Sequence, residues 1–161
     1  MNVAKAWERA LYQTETPDTI KTALRTSIVL GREGGAYIPL RKLVQLGLGG
    51  KQGSGRQYIS WIHELDFARA VEFILRHEIT GEVNVVSPTP VSNTAFMKLL
   101  REQLNVPIGL PTPEPLLRLG AKLIGTEPEL VLKSRNVIPA RLILIGFAFQ
   151  YATLGDALKA L

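Results

Sequence analysis

The sequence predicts an α/β fold, and three observations predict it. Strand-like apolar runs fall at Ile28, Val29 and Leu30 and again at Val83, Val85 and Val86, apolar residues at helical spacing separate and follow them, and glycines or prolines stand at the junctions. At 161 residues the chain fits one domain that can bury a core of its own.

Val3, Trp7, Ala10 and Leu11 recur at helical spacing, so the first dozen residues are expected to form an amphipathic helix with Trp7 facing a core. After the polar connector TETPDTIKT, the run ending at Gly31 reads as a buried, parallel strand. Residues 38–48 read as a helix, the glycine-rich GLGGKQGSG as a turn, and 57–62 as a second strand. Phe67, Ala70, Val71, Ile74 and Leu75 mark one face of the next helix, with Glu64 and Asp66 where carboxylates meet its positive end. Gly81 is expected to break that helix, and Val83 to Val86 to form a strand ending at Pro88 and Pro90. Ser92 is an N-cap candidate, Val91 and Phe96 occupy the two staple positions, and Phe96, Leu99, Leu100 and Leu104 supply a buried stripe. Four prolines in VPIGLPTPEP predict an extended crossing. Beyond it, 116–124 and 129–134 read as helical, Pro139 can open a further helix, and FAFQY alternates like a strand with Phe147, Phe149 and Tyr151 on one side. Thr153 is expected to cap a last helix whose inward face is Leu154, Ala157, Leu158 and Leu161.

Composition removes several chemistries. Without cysteine there are no disulfides, thiolate nucleophiles or cysteine-held metals, and with two histidines metal binding is not expected. The net charge of +5 is spread as +3 over residues 1–50, zero over 51–113 and +2 over 114–161. That is a solvated surface rather than a nucleic-acid stripe, although Lys133, Arg135 and Arg141 lie close in sequence. No apolar run approaches the roughly 20 residues that span a bilayer. MNVAKAWERAL lacks the apolar centre of a signal peptide, and a cytoplasmic location is the expectation.

Gly47, Gly49, Gly50, Gly53 and Gly55 invite comparison with a phosphate loop, but such loops run from strand to helix and here a helix enters and a strand leaves. A tight turn requiring positive φ is the simpler reading. His63, beside Glu64 and near Asp66, lacks a nucleophile partner and reads as a residue of a strand-to-helix junction. Asp66 needs no purpose beyond its helix, and His77 reads as a helix-end residue. Arg56 and Gln57 beside the turn can contact an anionic or hydroxylated ligand or lie in a solvated loop.

Four segments, LRTSIVLGREGGA, GLGGKQGSGRQYISWIHELD, GEVNVVSPTPVSN and SRNVIPARLILIGFAFQYATLGDAL, together resemble the atypical extended short-chain dehydrogenase/reductases, the NAD-dependent epimerase/dehydratase-like "epimerase family proteins". The resemblance covers essentially the whole chain. It implies the C-terminal part of a Rossmann-like fold with a small mixed α+β substrate lobe. Residues 1–105 would hold the last Rossmann elements interleaved with that lobe, and 106–161 the C-terminal subregion. It implies NAD(P) as cofactor, with Arg25, Thr26 and Ser27 on the nicotinamide side of the cleft and Arg56, Gln57, Trp61 and His63 at the edge facing a small-molecule substrate. It assigns no catalytic residue here. The family's dinucleotide loop and its Ser and Tyr positions precede the matched region, so this chain alone is expected to bind NAD(P) weakly and to be inactive. Lys5 has no residue four positions before it to complete a Tyr-x-x-x-Lys pair, and Ile59 stands where nucleotide-sugar enzymes usually place an arginine. The alternative is a non-catalytic interaction or oligomerisation module. In either case uncovered strand edges predict self-association or pairing with an N-terminal segment.

Overall fold

The computed structural model describes residues 2–123 and 132–161. In chain order the elements are α1 (Asn2–Gln13), β1 (Thr22–Thr26), β2 (Ile28–Leu30), α2 (Tyr37–Leu43), a π-helical turn (Val44–Leu48), β3 (Tyr58–Ile59), β4 (Trp61–His63), α3 (Glu64–Arg76), β5 (Gly81–Val85), β6 (Val91–Ser92), α4 (Asn93–Gln103), α5 (Glu114–Leu123), α6 (Ala140–Leu144) and α7 (Leu154–Ala160).

β1 and β5 pair in parallel from Thr22↔Gly81 to Thr26↔Val85. One residue later the same strand changes partner, and β2 pairs in parallel with β4 from Ile28↔Trp61 to Leu30↔His63. The Ser87 N–H donates to the Trp61 carbonyl, so the stretch after β5 runs on beside β4. The sheet therefore forks at Ser27, with β4 held between β2 and the continuation of β5. Successive β4 residues point to opposite faces, and the core divides accordingly. Trp61 packs with Leu30, Phe96, Leu100, Leu154 and Leu158. Ile62 packs with Ala70, Ile74, Val83, Val85 and Leu142. The chain is thus α/β, with parallel strand pairs beside a small antiparallel β3–β6 lobe.

The caps fall where the residue types place them. The Ser92 side chain accepts from Ala95 N–H, and the Thr153 side chain from Asp156 N–H. Val91 and Phe96 both belong to the first core cluster, as a staple requires. Pro139 stands at the N-cap of α6.

Several expectations need correction. Trp7 does not face a core: it is 72% exposed, and nearly every described residue of α1 is open to solvent. Periodicity reports an apolar face, not what covers it. Gly81 does not end α3, which stops at Arg76 with Glu78 in the left-handed region; Gly81 opens β5 at φ 78°. FAFQY is irregular rather than a strand, although its apolar side still packs, with Phe147 edge-on to Phe149 and Phe73. The run at Ile28 to Leu30 is parallel as expected but fully buried only at Leu30. The 38–48 helix becomes α2 and a π turn whose Gly47 leaves helical geometry at φ 77°. Residues 129–131 of the expected 129–134 helix lie outside the described residues.

Candidate functional site

Two regions gather the residues singled out in the sequence. The first is the fork at the C-terminal end of β1. Arg25 is exposed, and its guanidinium donates to both Glu8 carboxylate oxygens at 2.7 and 2.9 Å. That hydrogen bond holds the Glu8 carboxyl below its ordinary range and the guanidinium above its own. Thr26 is exposed. Ser27 sits at the change of partner, and its Oγ is buried with no hydrogen-bond partner among the described residues. A buried hydroxyl without a partner costs about 1–3 kcal/mol of desolvation, so it marks either strain or a place for another molecule.

The second region is the glycine turn. Gly47, Gly53 and Gly55 have φ of 77°, 59° and 72°, which only glycine adopts readily. Gly50 has a different reason to be glycine: a Cβ there would lie 2.5 Å from the backbone of Leu110 and Pro111. The proline-rich segment crosses the turn at this point. Gly50 N–H donates to Leu110 O at 3.0 Å, Gly53 N–H to Thr112 O at 2.9 Å and Thr112 N–H to Lys51 O at 3.0 Å. Buried amides lock the turn from beneath. Asn93 Oδ1 accepts from Gln52 N–H at 2.8 Å, Asn93 Nδ2 donates to Gln52 Oε1 at 2.9 Å, and Gln57 Nε2 donates to Gln52 O at 2.8 Å.

A pocket of about 300 Å³ opens beside the turn, lined by Ser54, Gln57, Glu114, Arg118, Leu132 and Lys133. Gln57 thus reaches it while also bonding Ser54 Oγ at 2.9 Å, and Arg56 lies exposed next to it. Trp61 is elsewhere, fully buried with its indole N–H on Thr89 O at 3.0 Å. His63 is the N-cap of α3: its Nδ1 accepts from Leu65 N–H at 3.1 Å, its ring lies 4.0 Å from that of Tyr151, and its buried Nε2 has no partner among the described residues. Loss of solvent pushes its pKa down, against an upward pull from Glu64 and Asp66. With Nδ1 accepting, the neutral ring carries its proton on Nε2.

Sequence reasoning missed Glu114 and Arg118, whose (i, i+4) pair at 2.6 Å was the available signal on α5. It also missed what Asp66 does. This fully buried carboxylate takes Arg69 at 2.7 Å and the backbone N–H groups of Gln150 and Tyr151 at 2.9 and 2.7 Å, clasping the loop before α7. The basic residues near the C-terminus separate: Lys133 lines the pocket, while Arg141 donates to the carbonyls of Thr80 and Glu82. Among the described residues, no group of three or more His, Asp or Glu could hold a metal, and no helix is long and apolar enough to cross a membrane.

In open parallel α/β sheets the region beyond the carboxyl ends of the strands is where ligands bind. The comparisons indicate the class of protein. The chain is similar to a C-terminal portion of extended short-chain dehydrogenase/reductase, epimerase-like proteins. It is 35% identical over 94% of its length to an epimerase family protein of Mycobacterium bovis, covering 50% of it, and 32% identical over 99% to one of Staphylococcus aureus, covering 53%. It spans about half the length of the curated relatives it matches. Among solved structures it is similar to the human epimerase family protein SDR39U1 with NADPH, at TM-score 0.87 and 30% identity, over 99% of this chain and 53% of that one. The UDP-N-acetylglucosamine 4-epimerase of Methanobrevibacter ruminantium shares the fold at TM-score 0.65 and 17% identity, over 96% of this chain and 48% of that one. Residues 112–161 match a family described as a domain of unknown function, DUF1731.

Proposed function

We propose that this chain forms the substrate-side wall and last sheet strands of an NAD(P)-dependent epimerase or oxidoreductase. The observation that carries the reading is the fork at Ser27, where a sheet strand changes partner and leaves a buried hydroxyl unpartnered among the described residues. In open α/β sheets ligands sit beyond strand C-termini at such points. The Ser27 hydroxyl can donate to or accept from a nicotinamide carboxamide, with Thr26 beside it; Arg25 contributes only if its pair with Glu8 opens. The cofactor supplies hydride chemistry when bound, while these residues orient what lies against them.

Residues 1–105 serve as sheet end and lobe edge, and 106–161 close the lobe. The pocket with Ser54, Gln57 and Arg118 suits a small hydroxylated or anionic substrate, with Arg56 at its rim. Trp61 and His63 act from beneath as supports. The 161-residue chain by itself is inactive and holds NAD(P) weakly, because tight binding needs a strand-to-helix glycine turn for the pyrophosphate. We place it in the cytoplasm.

The test joins to this chain the remaining half of the Mycobacterium bovis relative and measures NADPH affinity by calorimetry. Ser27→Ala should weaken binding about five- to ten-fold, the worth of one hydrogen bond, while leaving the isolated chain as stable or up to about 1 kcal/mol more stable. Unchanged affinity in that variant would sink the assignment, as would tight NADPH binding by the isolated chain. A second reading, a non-catalytic assembly module, is favoured by the exposed apolar face of α1. A clean, stable monomer in light scattering of the isolated chain counts against it.

A further inference from the structure

The pocket beside the glycine turn has three walls, each pinned by hydrogen bonds to the backbone. Thr112 fixes where α5 begins: its N–H donates to Lys51 O at 3.0 Å and its carbonyl accepts from Gly53 N–H at 2.9 Å. Two residues on, Glu114 opens the helix, and Arg118 follows one turn later on the same face. The wall of Leu132 and Lys133 is held by the residues just after it, because Tyr58 N–H donates to Ser134 Oγ at 3.0 Å and Arg135 N–H to Tyr58 O at 2.8 Å. Leu132 comes so near the turn that a Cβ on Gly53 would lie 2.9 Å from its side chain. Ser54 and Gln57 complete the lining.

What these groups offer a ligand follows from what they have already spent. The Ser54 hydroxyl proton goes to Gln57 Oε1 at 2.9 Å, its oxygen accepts from Arg56 N–H at 3.2 Å, and Gln57 Nε2 turns inward to Gln52 O at 2.8 Å. A hydroxyl and an amide committed to each other and to the backbone are poorly placed to read sugar-like hydroxyls, each of which needs a donor and an acceptor. The charged wall differs. Arg118 donates through Nε and Nη2 at 2.9 and 2.6 Å, and both bonds fall on one oxygen, Glu114 Oε1. The Arg25–Glu8 pair of the same chain shows the fuller arrangement, with Nε on one carboxylate oxygen and Nη2 on the other. The helical tether thus keeps Glu114 in the anion position of the Arg118 fork without the two-oxygen match that a free carboxylate makes. An exposed (i, i+4) pair of this kind is worth only roughly a factor of two in equilibrium, so an incoming anion displaces it readily.

We infer that Glu114 is an internal stand-in for the ligand, and that the pocket takes a small molecule bearing a carboxylate, which displaces Glu114 from Arg118. Lys133 in the pocket lining adds a second positive charge, while Ser54 and Gln57 supply shape more than hydrogen bonds. The volume of about 300 Å³ stands at the small end of ligand sites and suits one compact molecule rather than a dinucleotide. Glu114 in this role sets specificity: a neutral ligand leaves the ion pair closed, whereas a carboxylate gains the better fork. The inference deepens the functional reading above by choosing the anion over the neutral hydroxylated ligand, and it rests on that reading only for treating the ligand as a substrate.

Three compounds on one carbon skeleton test this: gluconate, glucose and glucose 6-phosphate. Each is titrated at constant ionic strength, with nuclear magnetic resonance as the readout, into the isotope-labelled chain and into its chimera with the remaining half of the Mycobacterium bovis relative, without NADPH. Gluconate should shift the Arg118 Nε–H and the amides of Ser54 and Lys133, and glucose should leave them in place. Arg118→Gln should weaken gluconate binding about ten-fold or more, and Glu114→Gln should strengthen it about two- to five-fold by removing the competitor. Glu102→Gln, at the comparable Lys98–Glu102 pair on α4, removes the same charge elsewhere and should change nothing. Absence of shifts in both proteins overturns the proposal, as do equal binding of glucose and a Glu114→Gln variant that binds gluconate no more tightly. Equal strengthening by Glu102→Gln reduces the effect to net charge and overturns it too. Tighter binding of glucose 6-phosphate than of gluconate makes this a phosphate site and removes the carboxylate assignment. NADPH affinity is scored separately: a chimera that binds gluconate through Arg118 but not NADPH keeps the assignment and loses the functional reading, and the converse result does the opposite.

Discussion

His63 and Asp66 stand three residues apart and hold the same junction by opposite chemistry. His63 caps α3 only while neutral, because protonation would turn Nδ1 from acceptor to donor against the Leu65 N–H. Its pKa in the folded chain is depressed, chiefly by loss of solvent, from an ordinary value of 6.5. As pH falls through that value the unfolded chain takes up a proton that the folded chain refuses, so stability drops until the folded-state pKa is passed. Urea midpoints should therefore fall between pH 7.5 and 5.5. His63→Asn, which keeps a capping oxygen but does not titrate, should show a smaller fall. An equal fall in both proteins assigns the pH dependence elsewhere. Asp66 acts as an anion, and Asp66→Ala strands the Gln150 and Tyr151 N–H groups. A loss of about 2–4 kcal/mol in denaturant unfolding is expected, from two orphaned donors and a broken ion pair. A loss under 1 kcal/mol means that water satisfies the loop. Nothing local in the sequence announced this role, because an acid in a first helical turn already has a sufficient reason and its partners lie 84 and 85 residues away.

Elements were legible where one local rule decided them. α3, α4 and α7 follow from apolar spacing plus Ser92 and Thr153 as caps, and the proline segment from its missing N–H groups. Those decided by distant partners were not. The alternation of Phe147, Phe149 and Tyr151 looks like a strand, yet the Tyr151 N–H is taken up by Asp66 and the Phe147 N–H by Leu142 O in the turn after α6. The candidate site was legible in part for the same reason. Arg56 and Gln57 stand beside a conspicuous glycine turn, whereas Arg118 reaches the pocket from α5, far along the chain. The turn's glycines also divide into two kinds. Gly53 and Gly55 are needed for φ, but Gly50 has an ordinary φ and is needed for proximity. Gly50→Ala should push the Leu110 backbone away and break the Gly50–Leu110 hydrogen bond, costing about 1–3 kcal/mol. Hydrogen exchange of Gly50 and Thr112 reads this locally. Unchanged protection there refutes the close-approach argument.

At the scale of the whole molecule, β4 and its neighbour β2 separate the two apolar clusters, with Trp61 and Leu30 in one and Ile62 and Val29 against the other. A second tie runs through the loop that Asp66 clasps, which delivers Phe147 to the α3 side and Tyr151 to the other. Neither cluster can lose its packing without freeing β4, so they should unfold together although they share no buried residue. Leu158→Ala removes a fully buried side chain of α7 from the Trp61 cluster, far in sequence from α3. The cost expected for such a truncation is about 2–5 kcal/mol. If β4 couples the clusters, Trp61 emission in the variant and far-ultraviolet circular dichroism, which is dominated by helices including α3, should move to the same lower denaturant midpoint in one transition. Two separated transitions, with the tryptophan signal lost first, would mean that the α3 side folds independently and that the lobe closed by α7 is a separate unit resting on it.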